Sequence, residues 1–470
     1  MKYDAVVIGS GLGGLICARE LAKSGRSIVV LERQQQPGGC LQSYRRAGLE
    51  LDTGLHYVGG LDAGQALHEA FDSLGLLSLP WQRLDPDGFD QITIGNQTFP
   101  LVQGFDRFAD KLSEYFPEER ASLRQFVEML RQLPPMEKLI RVNAYDYLTS
   151  LFRDPLLINV LSASAMRMEL RRDSLPLFTL AHGLSSYIQS SWRLKGSGNL
   201  IVDSLISDIK AAGGEIYCGT EVTELQEAEG RVVAAHCTGG RTFEGSLFIS
   251  DAHPQITFDW LKESRKLKGV FRHRIAALEN TFGMFTVSLV LKPGKLQYFN
   301  HNKYVYRKPN VWTFSEEADT VGGVMLSARV PENGHTDVRQ VDLLTPLPWS
   351  LCQQWADTKV GRRGEGYEKL KQRLADDCIK LAERVVPGLN DMVERRYTST
   401  PLTWRDYTLS PRGSAFGVRK DCRNPLMTML SPKTPIPNLF LTGQSLALHG
   451  VEGVTKTAFN TLETIKQTKI

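Results

Sequence analysis

The sequence predicts an α/β fold built around a parallel sheet, and three observations support this prediction. Residues 3–8 form a short run rich in β-branched side chains, which is typical of a strand buried on both faces of a sheet. A glycine-rich turn at 9–14 follows and leads into an amphipathic segment, 15–23, that predicts a helix. A second apolar run, 27–31, then completes the strand–helix–strand unit from which parallel sheets are built.

The composition indicates a globular protein of more than one domain. The chain has 470 residues, 42% of them apolar and 23% charged, so we expect two closely joined domains. Its formal net charge of +4 is small for this length, which argues against a nucleic-acid partner, because such proteins concentrate a strong basic excess on one face. Seven scattered cysteines without a CxxC pair predict free thiols in a reducing compartment and no metal site.

The sequence favours a cytoplasmic protein, with membrane association as an open alternative. Glycines and charges interrupt the apolar run that a signal peptide would need, and no uncharged apolar stretch reaches the length of a membrane span. Two basic amphipathic runs, 135–141 and 166–172, have the composition of segments that lie on anionic lipid and would provide peripheral membrane contact. The alternative is that both runs are solvated helix faces.

The glycine-rich turn matches the G-x-G-x-x-G motif of dinucleotide-binding units. In this motif Gly9 permits the tight turn, Gly11 lets the backbone approach a diphosphate, and Gly14 lets the helix pack closely on the sheet. Gly13 completes the turn, and the free N–H groups at the start of the helix face the phosphate charge. Glu32 stands at the end of the second strand, eighteen residues after Gly14, where its carboxylate would accept hydrogen bonds from a ribose diol. A lone glycine motif is weak evidence, but these elements in register predict a dinucleotide site.

The residues after the second strand resemble the opening of a large flavoprotein superfamily that includes monoamine oxidases, phytoene desaturases, carotenoid isomerases and retinol saturases. The resemblance rests on Pro-Gly-Gly-Cys at 37–40 and on Gly-Leu-Glu-Leu-Asp-Thr-Gly-Leu-His-Tyr at 48–57. It implies FAD as the cofactor. The second segment is most similar to the branch of the retinol saturases and carotenoid isomerases, and it implies that His56 and Tyr57 lie near the isoalloxazine ring. The alternative is that both are core residues whose polar atoms are hydrogen-bonded within the protein.

The same resemblance implies that Gly38 and Gly39 lie beside the flavin phosphates and the ribityl chain. The superfamily usually has arginine at the next position, where this chain has Cys40. The departure removes one charge that would neutralise phosphate. Arg33 and Arg45 are the two candidates to replace it.

A second group of flavin contacts is implied near the C-terminus. The run Leu-Thr-Gly-Gln at 441–444 resembles a strand that enters a turn at Gly443. The superfamily usually has aspartate at the position of Gln444, and glutamine keeps an acceptor for a ribityl hydroxyl. A helix that starts near Gly453 would point its N–H groups at the flavin, with Val454 as the donor.

The sequence predicts an α/β protein with a Rossmann-like FAD-binding domain, which is a parallel sheet with a β-meander. The resemblance implies that this domain is interleaved with an α+β substrate domain. The FAD-binding domain is predicted to be discontinuous, at 1–75, 190–260 and 400–470, and the substrate-binding domain to comprise 76–189 and 261–399. Within them, 62–189 is predicted to be largely helical. By resemblance, Val222 would clasp the adenine through its backbone. The predicted meander strands and the strand that returns to the sheet are 222–227, 231–238, 241–244 and 247–252.

The resemblance to the retinol saturase branch implies an FAD-dependent oxidoreductase that acts on carbon–carbon double bonds of an apolar polyene, as a saturase. A desaturase or a cis–trans isomerase on the same scaffold is the alternative within the family. A prenyl-protein escort or GDI-like binding protein without FAD is the alternative from another class. Tyr57, His56, His449 and Glu452 are the candidate proton carriers. No second G-x-G-x-x-G motif is present, so NAD(P)H stays a candidate electron donor without an identified site.

Overall fold

The computed structural model describes residues 2–313, 320–331 and 334–468. In chain order the strands are β1 Lys2–Ile8, β2 Ile28–Leu31, β3 Ser43–Arg46, β4 Leu49–Asp52, β5 Val58–Gly59, β6 Trp81–Arg83, β7 Asp90–Ile94, β8 Gln97–Leu101, β9 Ser191–Leu194, β10 Glu215–Tyr217, β11 Val222–Ala228, β12 Arg231–Cys237, β13 Thr242–Ser250, β14 Gly283–Leu291, β15 Asn302–Tyr306, β16 Gly323–Ala328, β17 Gln340–Leu347, β18 Val393–Ser399 and β19 Leu439–Leu441. The helices are α1 Leu12–Lys23, α2 Ala66–Ser73, α3 Phe105–Tyr115, α4 Arg120–Arg131, α5 Met136–Leu139, α6 Ala144–Leu151, α7 Pro155–Ala163, α8 Leu177–Gln189, α9 Asn199–Ala211, α10 Pro254–Asp259, α11 Gly269–Ala276, α12 Glu365–Ala382, α13 Leu389–Met392, α14 Pro401–Thr408, α15 Pro425–Thr428 and α16 Gly450–Gln467.

The first sheet is the predicted parallel sheet, and its strand order is β10-β2-β1-β13-β12-β11, with β19 paired to β13. The pairs that involve β1, β2, β10 and β19 are parallel, whereas β11, β12 and the start of β13 form an antiparallel meander. Alternate side chains of β1 point to opposite faces. Ala5 and Val7 pack against α1, α9 and α16, and Val6 and Ile8 pack on the side of the meander and α10. The predicted sheet, meander and interleaved architecture are therefore confirmed.

The third strand of the meander and the returning strand, predicted as separate strands at 241–244 and 247–252, are one continuous strand, β13. Its first part pairs with β12, and its last residues pair with β19 on the same edge. Its other edge pairs with β1 from Lys2 to Ile8. The separation predicted at Gly245 was wrong because pairing with β1 continues through that glycine.

The second sheet consists of strands from the middle of the chain, in the order β18-β14-β17-β16-β15-β7-β8. All neighbours are antiparallel except β15 and β7. The region 62–189 is therefore less helical than predicted, because it also contributes β6, β7 and β8. Helices α3, α4, α6, α7 and α8 pack together with this sheet in one apolar core. The predicted domain boundaries stay predictions.

No helix in the described ranges is long and apolar enough to cross a membrane. Within the same residues, no group of three or more His, Cys, Asp or Glu side chains is arranged to hold a metal ion.

Candidate active site

A cavity of about 370 Å³ lies between the two sheets. Its nucleotide end is lined by the turn after β1, the end of β2 and the start of β11, with the segments around Asp251 and Gly443. We use the term apolar end for the other side of the cavity, which is lined by Met166, Met168, Tyr187, Met284, Met325, Leu344 and Phe416. Residues 53–57 contribute to the wall along with Trp404, and so do His449, Gly450, Val451 and Val454. One continuous space thus joins polar backbone to an apolar chamber.

The glycine turn after β1 has the close approaches that the motif predicts. Gly9 has a φ of 96°, which side chains rarely adopt. A Cβ on Gly11 would lie 2.3 Å from Oδ2 of Asp251, and one on Gly13 would lie 3.0 Å from the N of Gly443. A Cβ on Gly14 would lie 2.2 Å from the carbonyl oxygen of Gly9, so this glycine packs α1 on β1 and does not line the cavity. The turn fits a phosphate-bearing dinucleotide.

Glu32 lies where a ribose acid is expected, at the end of β2 in the cavity wall. Its carboxylate is buried and shared between two neighbours. Oε2 accepts from the N–H of Ser10 at 3.1 Å and from its hydroxyl at 2.5 Å. Oε1 accepts from the N–H of Gln34 at 2.7 Å. Ser10, which the sequence analysis did not select, therefore holds this acid against the glycine turn.

The Gly38-Gly39 pair lines the cavity, and Gly39 packs directly against the glycine turn. Gly38 and Gly39 have φ values of 119° and 55°, and a Cβ on Gly39 would lie 3.0 Å from the Cα of Gly11. Cys40 follows in the wall, where burial raises the pKa of its thiol to about 12, so it supplies no charge. Of the two arginines considered as replacements, Arg33 lines the cavity and Arg45 is an exposed residue of β3 outside it.

The C-terminal contacts lie near the predicted positions, with one correction. Gly443 and Gln444 line the cavity in the turn after β19, and Val222 lines it at the start of β11. Helix α16, however, begins at Gly450 and not near Gly453. Val454 lines the cavity as the fifth residue of that helix, so its N–H faces the carbonyl of Gly450 in the helical pattern. The unpaired N–H groups of a helix belong to its first turn, which here starts at Gly450.

Gly453 is a packing residue. It does not line the cavity, and a Cβ there would lie 2.6 Å from the Cβ of Leu448.

The turn at Gly443 is stabilised by Lys420, which does not line the cavity and whose Nζ donates to the carbonyl oxygens of Ser445 at 2.7 Å and Leu446 at 2.8 Å. Burial lowers the pKa of Lys420 to about 7.

Asp251 is a cavity residue that the sequence analysis did not assign. It follows β13, and its carboxylate lies beside Gly11 and Gly14, whose backbone N–H groups act to lower its pKa. Burial, together with the nearby charge of Glu32, raises the pKa of this carboxyl to about 7. The sequence places Asp251 at the end of a predicted strand. Its contact with the glycine turn was not predictable, because that contact depends on the parallel pairing of β1 and β13.

His56 and Tyr57 both line the cavity, and their polar atoms differ in environment. The hydroxyl of Tyr57 donates to Oδ2 of Asp90 at 2.8 Å and lies 2.8 Å from the hydroxyl of Tyr304. Burial raises its pKa, so it is protonated at neutral pH. Nε2 of His56 is buried without a hydrogen-bond partner among the described residues, and burial lowers the pKa of the ring. Both remain candidates for proton transfer.

Of the other two candidates, His449 lines the cavity but its ring nitrogen has another partner, and Glu452 lies outside the cavity. The Nε2 of His449 lies 2.7 Å from the carbonyl oxygen of Arg167, and the ring stacks on Phe416. Burial lowers the pKa of His449 to about 4, so its single N–H is given to that carbonyl. Glu452 does not line the cavity. Its carboxylate accepts from the hydroxyl of Ser186 and pairs with Lys456.

The apolar end contains the residues that sequence reasoning missed. The run 166–172, interpreted as a basic amphipathic surface, instead turns inward, because Met166, Met168 and Leu170 are buried. The first two of them and Arg167 line the cavity. The run 135–141 contains the short helix α5, whose surface role stays a prediction.

The fold and the site together define a dinucleotide-binding flavoprotein whose cavity extends into an apolar chamber. The chain belongs to the flavin-containing amine oxidoreductase family, whose model matches residues 12–461. This membership confirms the superfamily that the sequence resembles, and it confirms the flavin cofactor. The glycine turn and Glu32 fit the dinucleotide form, FAD.

Two proteins of known name and one solved structure are similar to this chain over nearly its whole length. An all-trans-retinol 13,14-reductase of Rattus norvegicus is 26% identical, covering 97% of this chain and 84% of its own length. A chloroplastic prolycopene isomerase 2 of an Oncidium hybrid cultivar is 24% identical, covering 94% and 80%. Among solved structures, an oxidoreductase from Methanosarcina mazei superposes with a TM-score of 0.68 at 17% identity, covering 98% of this chain and all of that one. The last comparison confirms the fold.

Proposed function

We propose that this protein uses its flavin to reduce a carbon–carbon double bond in a long apolar polyene. The observation that carries the proposal is the continuity of the cavity, in which the nucleotide end opens into a chamber lined by four methionines and aromatic rings. Methionine and aromatic walls suit a flat, extended apolar chain. The names of the rat and Oncidium relatives, a polyene reductase and a polyene isomerase, support the same substrate class. Desaturation and isomerisation are the alternatives on this scaffold.

The bound flavin supplies two-electron exchange with the substrate, and the protein supplies position and protons. The apolar end excludes water and holds the chain against the residues at 53–57. The Tyr57 hydroxyl stays protonated, with Asp90 and Tyr304 as its hydrogen-bond partners. His56 lies beside it in the wall with a neutral ring. These two side chains are therefore the proposed source of the proton for the substrate carbon.

An escort or GDI-like protein without FAD is the alternative from another class. The intact turn from Gly9 to Gly13, the buried Glu32 and the family membership favour a flavoprotein. Purified protein that is yellow with a bound-flavin spectrum supports the enzyme. Colourless protein that cannot be reconstituted with FAD contradicts it.

The test of the proposed function is an anaerobic reaction of the pre-reduced holoenzyme with all-trans-retinol and with carotenoids. We expect the flavin to become reoxidised while the polyene absorbance decreases, because the electrons leave the flavin for a conjugated double bond. The oxidised holoenzyme is the control and should leave the polyene unchanged. Reoxidation without bleaching would indicate another acceptor, and unchanged reduced flavin with every polyene would contradict the proposal.

We also propose peripheral membrane contact, through a surface that the sequence analysis did not select. Val270 in α11 is 87% exposed, and Leu426 and Met427 in α15 are 73% and 40% exposed. The two helices adjoin, because Arg274 donates to the carbonyl oxygen of Leu426 at 2.7 Å. Residues 262–274 carry six Lys or Arg and one acidic residue. Apolar tips within a basic surface suit an anionic lipid headgroup layer, from which an apolar substrate would be drawn.

The double change Val270→Glu and Leu426→Glu is expected to lower binding to vesicles that contain anionic lipid about tenfold or more. The reason is that it removes two apolar anchors and adds two negative charges. Vesicle co-sedimentation measures this effect. The change Val360→Glu, at an exposed apolar residue outside this surface and outside the cavity, is the control. Equal sedimentation of both variants and the wild type would contradict the assignment.

A further inference from the structure

The apolar end of the cavity contains a cation. Among the lining residues that the structure describes, Glu32, Arg33, Glu221 and Asp251 carry the charges of the nucleotide end. Arg167 is the charged side chain of the apolar end, between Met166 and Met168. A charge among methionines is costly unless it has a partner.

Aromatic rings and a carbonyl hold the Arg167 guanidinium in place. Its central carbon lies 3.6 Å from the centroid of the Tyr187 ring and 5.0 Å from that of Tyr57. Its Nε donates to the carbonyl oxygen of Ser164 at 2.9 Å. These contacts fix the plane of the guanidinium before any ligand arrives, so little side-chain entropy would be lost on binding.

The charge on Arg167 is incompletely neutralised. Its nearest carboxylate is Asp90, with a separation of 3.9 Å between Nη2 and Oδ2, which is longer than a hydrogen bond. Both oxygens of Asp90 have other donors, the Tyr57 hydroxyl at 2.8 Å and Nδ2 of Asn302 at 2.9 Å. Burial raises the pKa of Asp90, which weakens it further as a counter-charge. Nη1 of Arg167 is buried without a hydrogen-bond acceptor among the described residues.

We propose that Arg167 binds the carboxylate head of the substrate, so that the preferred substrates are long unsaturated carboxylic acids. A planar guanidinium with free N–H groups matches a single carboxylate, and the methionines on either side receive the apolar chain. One cation is too little for a diphosphate head. This inference rests on the proposed function in one respect: the proposed function and the inference both place the apolar chain of the substrate in the apolar end of the cavity.

Binding to the oxidised holoenzyme tests the inference without turnover. The probes are all-trans-retinoic acid, its methyl ester and all-trans-retinol, titrated while the visible absorbance of the bound flavin is followed. The acid and the ester share the polyene chain and differ at the head, where the ester has no charge and one additional methyl group, and retinol is an uncharged probe with a small head. We expect the acid to bind at least about tenfold more tightly than the ester. Equal affinities in the wild type would overturn the inference.

Variants identify the residue responsible. Arg167→Met should remove the preference for the acid and leave the affinity for the ester unchanged. Arg167→Lys should retain part of the acid preference. Arg171→Met, just outside the cavity, should retain all of it. If Arg167→Met cannot be purified with FAD, the comparison of acid and ester in the wild type and in Arg167→Lys decides. A shifted flavin potential in Arg167→Met with the acid preference intact would assign the charge to the flavin and overturn the inference.

The two hypotheses fail separately. Reduced flavin that no polyene reoxidises would contradict the reductase, whereas the acid preference would still stand as a binding result. Reoxidation by retinol with no preference for the acid would support the reductase and overturn the role of Arg167.

Discussion

Glu32→Ala is expected to weaken FAD binding about 10- to 100-fold while the chain stays folded. The carboxylate lies in the cavity wall at the end of β2, where a ribose diol would donate to it. Hydrogen bonds to a charged group contribute about 1.5–3 kcal/mol each, which sets the size of the effect. The change also removes the acceptor of the Ser10 hydroxyl and N–H, so the glycine turn loses a support. Titration of the cofactor-free protein with FAD measures the loss.

Two further variants make this result specific. Glu32→Gln keeps an acceptor without the charge and should lose less affinity than Glu32→Ala. Glu244→Ala removes an exposed carboxylate from β13 of the same sheet and should bind FAD like the wild type. Thermal unfolding of each cofactor-free variant separates lost affinity from lost fold. Stoichiometric, undiminished FAD in Glu32→Ala would show that this residue is not the ribose acid.

FAD affinity is expected to fall about three- to tenfold as the pH rises from about 6 to about 8.5, because of Asp251. Burial raises the pKa of this carboxyl from 3.8 to about 7, so it is neutral at the lower pH and ionised at the higher. The ionised form repels the diphosphate, since the carboxylate contacts the same turn, at Gly11 and Gly14. Binding of the anion therefore takes up a proton. Without cofactor, the folded chain holds this proton more tightly than the unfolded chain, so stability falls as the pH rises from about 4 to about 7.

Asp251→Asn should remove this pH dependence, because asparagine keeps an acceptor for the turn and has no charge to titrate. At about pH 8.5 the variant should bind FAD at least as tightly as the wild type does at about pH 6. Asp259→Asn, at an exposed position in α10, is the matched control and should keep the wild-type profile. A pH profile in Asp251→Asn that matches the wild type would assign the titration to another group.

The fold was predictable where its signals are local. The unit β1–α1–β2 followed from a strand, a glycine turn and a helix within thirty residues. The division of β13 was wrong because Gly245 has weak strand propensity, and a propensity argument takes no account of the neighbouring strand. In the structure Gly245 pairs with Tyr3, and a Cβ there would lie 2.8 Å from Cγ2 of Val6. Gly245 therefore allows β13 to pack closely against the Val6 side chain of β1.

The site was predictable at its nucleotide end and not at its apolar end. The glycine turn and Glu32 are contiguous motifs, whereas Met166, Met284 and Met325 come from separate elements that only the fold brings together. The alternation of apolar and basic residues at 166–172 has the same appearance whether it faces lipid or a cavity. The start of α16 was misplaced because both Gly450 and Gly453 are suitable positions for a helix to begin.

The pairing of β1 with β13 and of β13 with β19 has a consequence for the synthesis of this protein. These contacts join residues 2–8 to 242–250 and then to 439–441, separations that make folding slow compared with helix formation. The first strand leaves the ribosome long before either partner exists. The wall of the cavity also needs residues 442–445 and 449–451 and Val454. FAD can therefore bind only after nearly the whole chain has been translated. Until then the glycine turn after β1 lacks the other residues of the cavity wall.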